Sequence, residues 1–489
     1  MKTLSAYIEC LRPLITTEKI AGNPVISEIT NDSRKVSTGC IFIAIKGAAA
    51  DGHKYISQAI SNGAVAIIHH SQLDEYSPGV SYLQVSDAYF AYASVCECRF
   101  DFPARQLRLH GITGTNGKTT TAFILEKILS SCGRKCGLIS TVAYKFRDYY
   151  TEASRTTPEA YELQELFRKM ADSGCTDVIM EVSSHGLDQH RPGHAVFHTA
   201  IFTNLTGDHL DYHLNMENYF QAKLRLFREY INAKSAAVIN IDDAFGDRIY
   251  NELASNSNVV SFGKSARATS QLDNIQLAAS GTKFTLKLKN SSYQIETRLI
   301  GEHNAFNLSG ALLAAVGSGI PAEQAVEATR QTLSVPGRLE TFTSPAGVTF
   351  FVDYAHTDDA LRNVLTILRT IAEKRIITVF GCGGNRDKTK RPRMGRVAAE
   401  FSDLVIITSD NPRFEDPLQI IQEIKPGIPE GHPLIIEPDR EKAIQLAAKQ
   451  TVPGDIVLIA GKGHEPYQEQ NGILSDFDDR KIVIEICAG

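Results

Sequence analysis

Residues 107–131 read LRLHGITGTNGKTTTAFILEKILSS, and this stretch decides the fold. An apolar run ends in Gly111, Ile112, Thr113, Gly114, Thr115, Asn116, Gly117, Lys118 and Thr119, a glycine-rich loop closing in GKT that is one residue longer than GxxxxGK[ST]. A strong helix pattern follows at once. The glycines allow the tight path that turns successive backbone N–H groups toward phosphate oxygens. Lys118 is expected to reach the β and γ phosphates of a nucleotide, and the Thr119 hydroxyl to hold Mg²⁺. The N-terminal partial charge of the following helix adds to anion binding. Strand, loop and helix in this order predict an α/β nucleotide-binding domain. The loop alone names no reaction: kinases of this loop class and motor ATPases remain open, and no base-reading NKxD-type element follows a strand end.

Outward from the loop, the same rhythm repeats. Apolar segments 176–184 (TDVIMEVSS), 200–207 (AIFTNLTG) and 235–242 (SAAVINID) alternate with helical patterns, as in a doubly wound sheet. Residues 281–301 alternate polar and apolar, which predicts an antiparallel patch. Upstream, 40–47, 56–64 and 64–70 give a β-α-β unit. A junction is expected near Pro103. Downstream, the strands 375–381, 404–409, 433–438 and 455–461 lie one helix-length apart, with helical stretches that include 359–374 and 440–450. The boundaries expected are 1–105, 106–335 and 336–489. At 489 residues, about three domains is also what length suggests.

Bulk composition excludes several classes. The hydrophobic content of 43% and charged content of 22% are those of a folded globular chain. With 51 basic and 56 acidic residues well mixed, there is no basic tract for nucleic acid or a membrane surface. An anionic substrate must be caught by local pockets. The nine cysteines contain no CxxC, against a zinc ribbon, and an odd, scattered set fits free thiols in a reducing cytoplasm. The N-terminal MKTLSAYIECLRPLI reads as an amphipathic helix, not a signal peptide. No apolar run approaches the ~18 residues of a membrane span. The expectation is a cytoplasmic monomer acting on small molecules.

Further chemistry gathers at strand ends. Glu181, Ser183, Ser184 and His185 close one strand, and Asp208, His209, Asp211 and His213 follow the next. A carboxylate there is placed to share the Mg²⁺ of Thr119. Lys223, in the helical ENYFQAKLRLFREYI, reads from its own pattern as a solvated helix face.

With GTNGKTT (114–120), EVSSHGL (181–187), GDHLDYH (207–213) and AKLRLF (222–227) collected, the chain resembles the Mur ligase family. The resemblance continues through GEHNAFN (301–307), PGRLE (336–340), VDYAHT (352–357), FGCGGNRDKTKRP (380–392), DNPR (410–413) and AGKGHE (460–465). It implies a three-domain architecture: an N-terminal UDP-sugar-binding domain, a central phosphate-loop domain and a Rossmann-like C-terminal domain that binds an amino acid. The activity implied is ATP-dependent amide formation, adding meso-diaminopimelate to UDP-N-acetylmuramoyl-L-alanyl-D-glutamate for peptidoglycan.

The resemblance also assigns residues. ATP would sit on Gly114, Thr115, Asn116, Gly117, Lys118, Thr119 and Thr120, with Asn304, Arg338 and Asp353 at its adenosine end. Magnesium would be held by Thr119, Glu181, His209 and Lys223, the last as N6-carboxylysine; Lys118, His209 and Lys223 would be catalytic. The nucleotide-sugar peptide would touch Ser33, Thr156, Thr157, Ser183, Gln189 and Arg191. Diaminopimelate would be selected by Arg386, Asp410, Asn411, Pro412, Arg413, Gly461 and Glu465. These segments each follow an apolar strand, so a parallel sheet would gather them on one edge. Arginine forks suit carboxylates, and Asp410 or Glu465 suits an ammonium. The chain departs from the family pattern at Ala48 and Ala49, which bear on uridine contacts, and at Asp358, Asn385 and Pro466.

Overall fold

The strands around the phosphate loop are runs of five or six residues, buried on both faces, which only a sheet covered by helices on each side can accommodate. The computed structural model of the chain describes residues 1–47, 50–253, 258–278, 280–288, 291–330 and 335–488. The departures at Ala48 and Ala49 therefore lie outside the described residues. The fold divides into two units, residues 1–271 with 307–328, and residues 272–306 with 329–489.

The first unit holds two sheets. Near the N terminus, Ile15–Lys19 pairs antiparallel with Ser81–Val85, which continues in parallel through Ala64–His69 and Cys40–Ala44 to Ile29–Thr30. Helices Leu4–Leu11 and Ala88–Arg99 bury Leu4, Tyr7, Leu11, Ala91 and Val95 against one face. The second sheet is centred on Arg108–Thr113. Its parallel neighbours are Asp177–Glu181 on one side and Phe197–Phe202 on the other, and the parallel set extends to Cys136–Ile139, Ala236–Asn240 and Val259–Gly263. An antiparallel hairpin, Ala143–Phe146 with Tyr149–Glu152, finishes one side. Register places Glu181 beside Ile112 and Phe202 beside Thr113, so the loops that follow all three strands open at one sheet edge.

The second unit is built on a six-stranded sheet in the order Glu340–Thr343, Thr349–Asp353, Ile456–Ala460, Ile376–Phe380, Leu404–Ile407, Leu434–Ile436. All neighbours are parallel except the first pair. Asp353 aligns with Ala460, Ala460 with Phe380, and Phe380 with Ile407, which brings the segments after them to a common edge. Thr349–Asp353 is a further buried strand, not among those expected from the sequence, and pairs antiparallel with Glu340–Thr343. Gly281–Leu288 and Ser291–Thr297 pair antiparallel, as the alternation predicts.

Candidate active site

The loop 114–117 is held by side chains from the strand beside it. Asn116 N donates to Asn204 Oδ1 at 3.0 Å, Thr203 Oγ1 donates to Asn116 O at 2.6 Å, and Thr115 N donates to Asn204 O at 2.8 Å. Gly114 and Gly117 have φ of 147° and 84°, and a β-carbon at Gly117 would lie 2.3 Å from Asn307 Oδ1. Both positions require glycine, for backbone and for space. Helix Lys118–Ser131 starts at once, with Thr119 and Thr120 buried in its first turn. The first-turn N–H groups of a helix lack intrahelical acceptors, which suits this end to an anion.

Two lysines converge on one carbonyl. Lys118 Nζ donates to Gly114 O at 2.9 Å and to Thr115 O at 2.8 Å, and Lys223 Nζ donates to the same Gly114 O at 2.8 Å. The reading of Lys223 as a solvated helix face is wrong: it is 1% exposed. Helix Met216–Arg228 packs Tyr219, Phe220, Leu224, Leu226 and Phe227 inward, and Lys223 shares that face, four residues after Tyr219, whose ring lies 4.5 Å from its ammonium. Burial, with Lys118 adding repulsion, holds the Lys223 amine well below its ordinary pKa.

Glu181 is fully buried, and its two oxygens accept from Thr141 N at 2.8 Å and Thr141 Oγ1 at 3.1 Å. His209 stands in the left-handed region at φ 53°, half-exposed, and burial plus the charges of Lys118 and Lys223 lower its pKa. Its ring lies 5.1 Å from that of His185, which burial and the neighbouring imidazoles push down to about 4. Among the described residues, no cluster of three or more His, Cys, Asp or Glu could by itself hold a metal. Thr119, Glu181 and His209 fit a hard dication only if a further anionic oxygen joins them. An unmodified Lys223, a donor at this place, does not supply it; a carbamate on the same nitrogen would.

The segment expected to meet the nucleotide-sugar peptide is internally tied. Thr157 Oγ1 donates to Glu181 O at 2.9 Å and accepts from Ser183 N at 2.9 Å, while Thr156 Oγ1 lies 3.0 Å from Thr141 Oγ1. Ser183 caps the helix Ser184–Asp188. Arg191 is buried, donating to Thr157 O at 2.5 Å, Gln189 Oε1 at 2.8 Å and Glu159 Oε1 at 2.9 Å. Ser33 sits apart in a short 3-10 turn after strand Ile29–Thr30 of the N-terminal sheet, its hydroxyl donating to Gln58 Oε1 at 3.1 Å.

In the second unit, the edge after the parallel strands collects Asp410, Asn411, Pro412, Arg413, Gly461 and Glu465. Asn411 Nδ2 donates to Glu465 Oε2 at 2.9 Å. Arg413, at φ 52°, donates to Gly384 O at 3.0 Å and pairs with Glu469 at 3.1 Å. A β-carbon on Gly461 would lie 2.7 Å from Asp410 Oδ2, a buried oxygen with no hydrogen-bond partner among the described residues. Burial raises the Glu465 pKa. Arg386 is exposed in the same loop, and Asn385 beside it takes a positive φ that asparagine tolerates, its Oδ1 accepting from Phe414 N at 3.0 Å. Asp358 starts a helix and pairs with Arg393 at 2.9 Å.

The remaining assigned residues are engaged within the fold. Asp353 spends its carboxylate on Leu339 N at 2.7 Å and Ala355 N at 2.8 Å. Arg338 stacks 5.2 Å from the Tyr354 ring, and Asn304 Nδ2 donates to Ile300 O at 2.8 Å. Sequence reasoning missed Thr141, Asn204, Asn307, Tyr354 and Lys462. Asn307, Tyr354 and Lys462 lie inside quoted motifs, but only the packing shows what they hold.

The fold and this site define a phosphate-loop nucleotide-binding protein of the α/β class. Three family models match in order: "Mur ligase family, catalytic domain" over residues 25–91, "Mur ligase middle domain" over 112–315, and "Mur ligase, glutamate ligase domain" over 337–463. The chain is 40% identical to a UDP-N-acetylmuramoyl-L-alanyl-D-glutamate–2,6-diaminopimelate ligase from Clostridium botulinum, covering 94% of this chain and 95% of that one. A protein of the same name from Geobacter metallireducens is 41% identical, with 95% of each covered. A solved structure titled as that ligase superposes with a TM-score of 0.70 at 34% identity, covering 95% of each chain. The chain belongs to the Mur ligase family, with its three-domain architecture.

Proposed function

We propose that the protein is the ATP-dependent ligase that adds meso-diaminopimelate to UDP-N-acetylmuramoyl-L-alanyl-D-glutamate, acting as a cytoplasmic monomer in peptidoglycan synthesis. Residues 1–105 take the nucleotide sugar, 106–335 the ATP, and 336–489 the incoming amino acid. The observation that carries this reading is the buried Lys223, hydrogen-bonded to the phosphate loop's own Gly114 carbonyl. A simple nucleotide switch has no use for such a group.

A carboxylate is a poor acylating agent at neutral pH. The D-glutamyl γ-carboxylate attacks the γ-phosphorus of ATP, the bond to the β-phosphate oxygen breaks, and ADP leaves. The acceptor amine then attacks the acyl carbon, loses a proton, and expels phosphate. Two anions must approach in the first step; Lys118 and the amides at the start of helix Lys118–Ser131 offset their repulsion. Thr119, Glu181, His209 and a carbamylated Lys223 would hold magnesium, which supplies further neutralisation of phosphate charge. The Lys223 nitrogen is suited to carbamylation because its depressed pKa leaves a lone pair free to attack CO₂. Thr141 fixes the Glu181 carboxylate from behind.

Phosphate release from the purified protein tests the reading. Release is expected only when ATP, magnesium, the muramyl dipeptide and diaminopimelate are all present. ATP turnover indifferent to the last two would end it. Lys223→Ala is expected to lose roughly 10²-fold in turnover and to regain part of it with a short carboxylic acid; undiminished activity without the additive contradicts the carbamate.

A further inference from the structure

Lys462 is a fully buried lysine for which the chemistry above has no use. It lies one residue past Gly461, at the end of strand Ile456–Ala460. Its ammonium donates to Asn411 Oδ1 at 3.0 Å and to Glu465 Oε2 at 3.3 Å. Asn411 Oδ1 also accepts from Glu469 N at 3.0 Å, and Asn411 Nδ2 donates to Glu465 Oε2. With two donors on the oxygen, the amide of Asn411 has one possible orientation. Glu465 Oε2 then receives both the amide and the ammonium, and Oε1 has no hydrogen-bond partner among the described residues.

The charges around Glu465 sharpen the point. Asp410, Tyr354 and Arg440 lie near it besides Lys462. Arg440 is committed elsewhere, to Asp479 at 2.7 Å and to the carbonyls of Ser409 and Ala460. Asp410 and Glu465 against Lys462 leave one negative charge, the complement of one ammonium on an incoming amino acid. Without Lys462, the buried Asp410 and the largely buried Glu465 would share the site with no cation between them, and one would take up a proton.

We propose that Lys462 is a positioning residue for acceptor selection: it sets the Asn411 amide and, with it, presents Glu465 as an ionised carboxylate to the acceptor's ammonium. The proposal rests on the acceptor reading of this edge given above. Lys462→Gln keeps a donor for Asn411 and removes the charge. Its KM for diaminopimelate is expected to rise at least about tenfold at pH 7 and to fall again as pH is raised, because Glu465 then ionises without help. KM for ATP and for the muramyl dipeptide should stay within about twofold. Lys462→Met, lacking the donor as well, should not recover at high pH. Asn411→Asp is isosteric, retains an acceptor for Lys462 and lacks the donor to Glu465; the same acceptor-specific rise is expected, and it serves if neither Lys462 variant folds. An unchanged acceptor KM, or a parallel loss of all three KM values with lowered Tm, overturns the proposal. A wild-type enzyme that ignores diaminopimelate would instead overturn the acceptor reading itself.

Discussion

The phosphate loop and the edge proposed to take the amino acid solve the same problem, holding charge at the end of a parallel sheet, in opposite ways. At the loop, a backbone carbonyl holds the charges: Lys118 and Lys223 both rest on Gly114 O, while the side chains of Thr203 and Asn204 pin the loop itself. At the edge, side chains hold one another: Lys462, Asn411 and Glu465 form one set, Arg413 and Glu469 another. A backbone device must be contiguous in sequence. A side-chain device can be assembled from several strand ends, and is tunable one residue at a time.

That contrast sets the sizes of the expected effects. Lys118→Ala removes the loop's own ammonium, and turnover should fall by about 10³-fold with the Tm little changed; a loss under tenfold would mean that the amides suffice. Gly117→Ala places a side chain at positive φ and against Asn307, a strain of roughly 1–3 kcal/mol that should appear as weakened ATP binding in calorimetry. Normal ATP affinity there would show that the loop is less constrained than its backbone implies. At the other end, Arg413→Ala removes a charge-assisted contact of about 1.5–3 kcal/mol and should raise acceptor KM by about 10- to 100-fold while leaving that for ATP unchanged. A wild-type preference for lysine over diaminopimelate would break the assignment of this edge.

The smallest effect is in pH. Burial raises the Glu465 pKa above its ordinary 4.5. On the proposed assignment, acceptor binding needs its carboxylate, which is lost as pH falls through that raised value. Acceptor KM should therefore climb by a few-fold on mild acidification, before Glu465 is fully protonated. The check is a pH series of KM for both substrates; coincident profiles would erase the distinction between the two ends.

The same contrast explains what was legible in the sequence. Gly111–Thr119 is one contiguous word, and the strand and helix around it are strongly apolar. Glu181 was legible because it ends a buried strand. Lys223 was not: helix Met216–Arg228 carries Lys and Arg on several positions, and nothing in the spacing says which one turns inward beside Tyr219. Thr349–Asp353 was not read as a strand, although its TFFV run is as apolar as Ile376–Phe380 or Ile456–Ala460 and no shorter; it leads into Tyr354 at the edge proposed for the acceptor. Lys462 was visible within AGKGHE, but a buried ammonium is recognised only by its partners, and Asn411 lies 51 residues away.

In the proposed reaction, phosphate is transferred to the substrate's own acid before the amide forms. Muramyl dipeptide labelled with ¹⁸O in the D-glutamyl γ-carboxylate tests it directly, by mass spectrometry of the phosphate released during turnover. One labelled oxygen per phosphate is expected, carried from the carboxylate through the acyl phosphate. Unlabelled phosphate, released while the amide product accumulates, would contradict it.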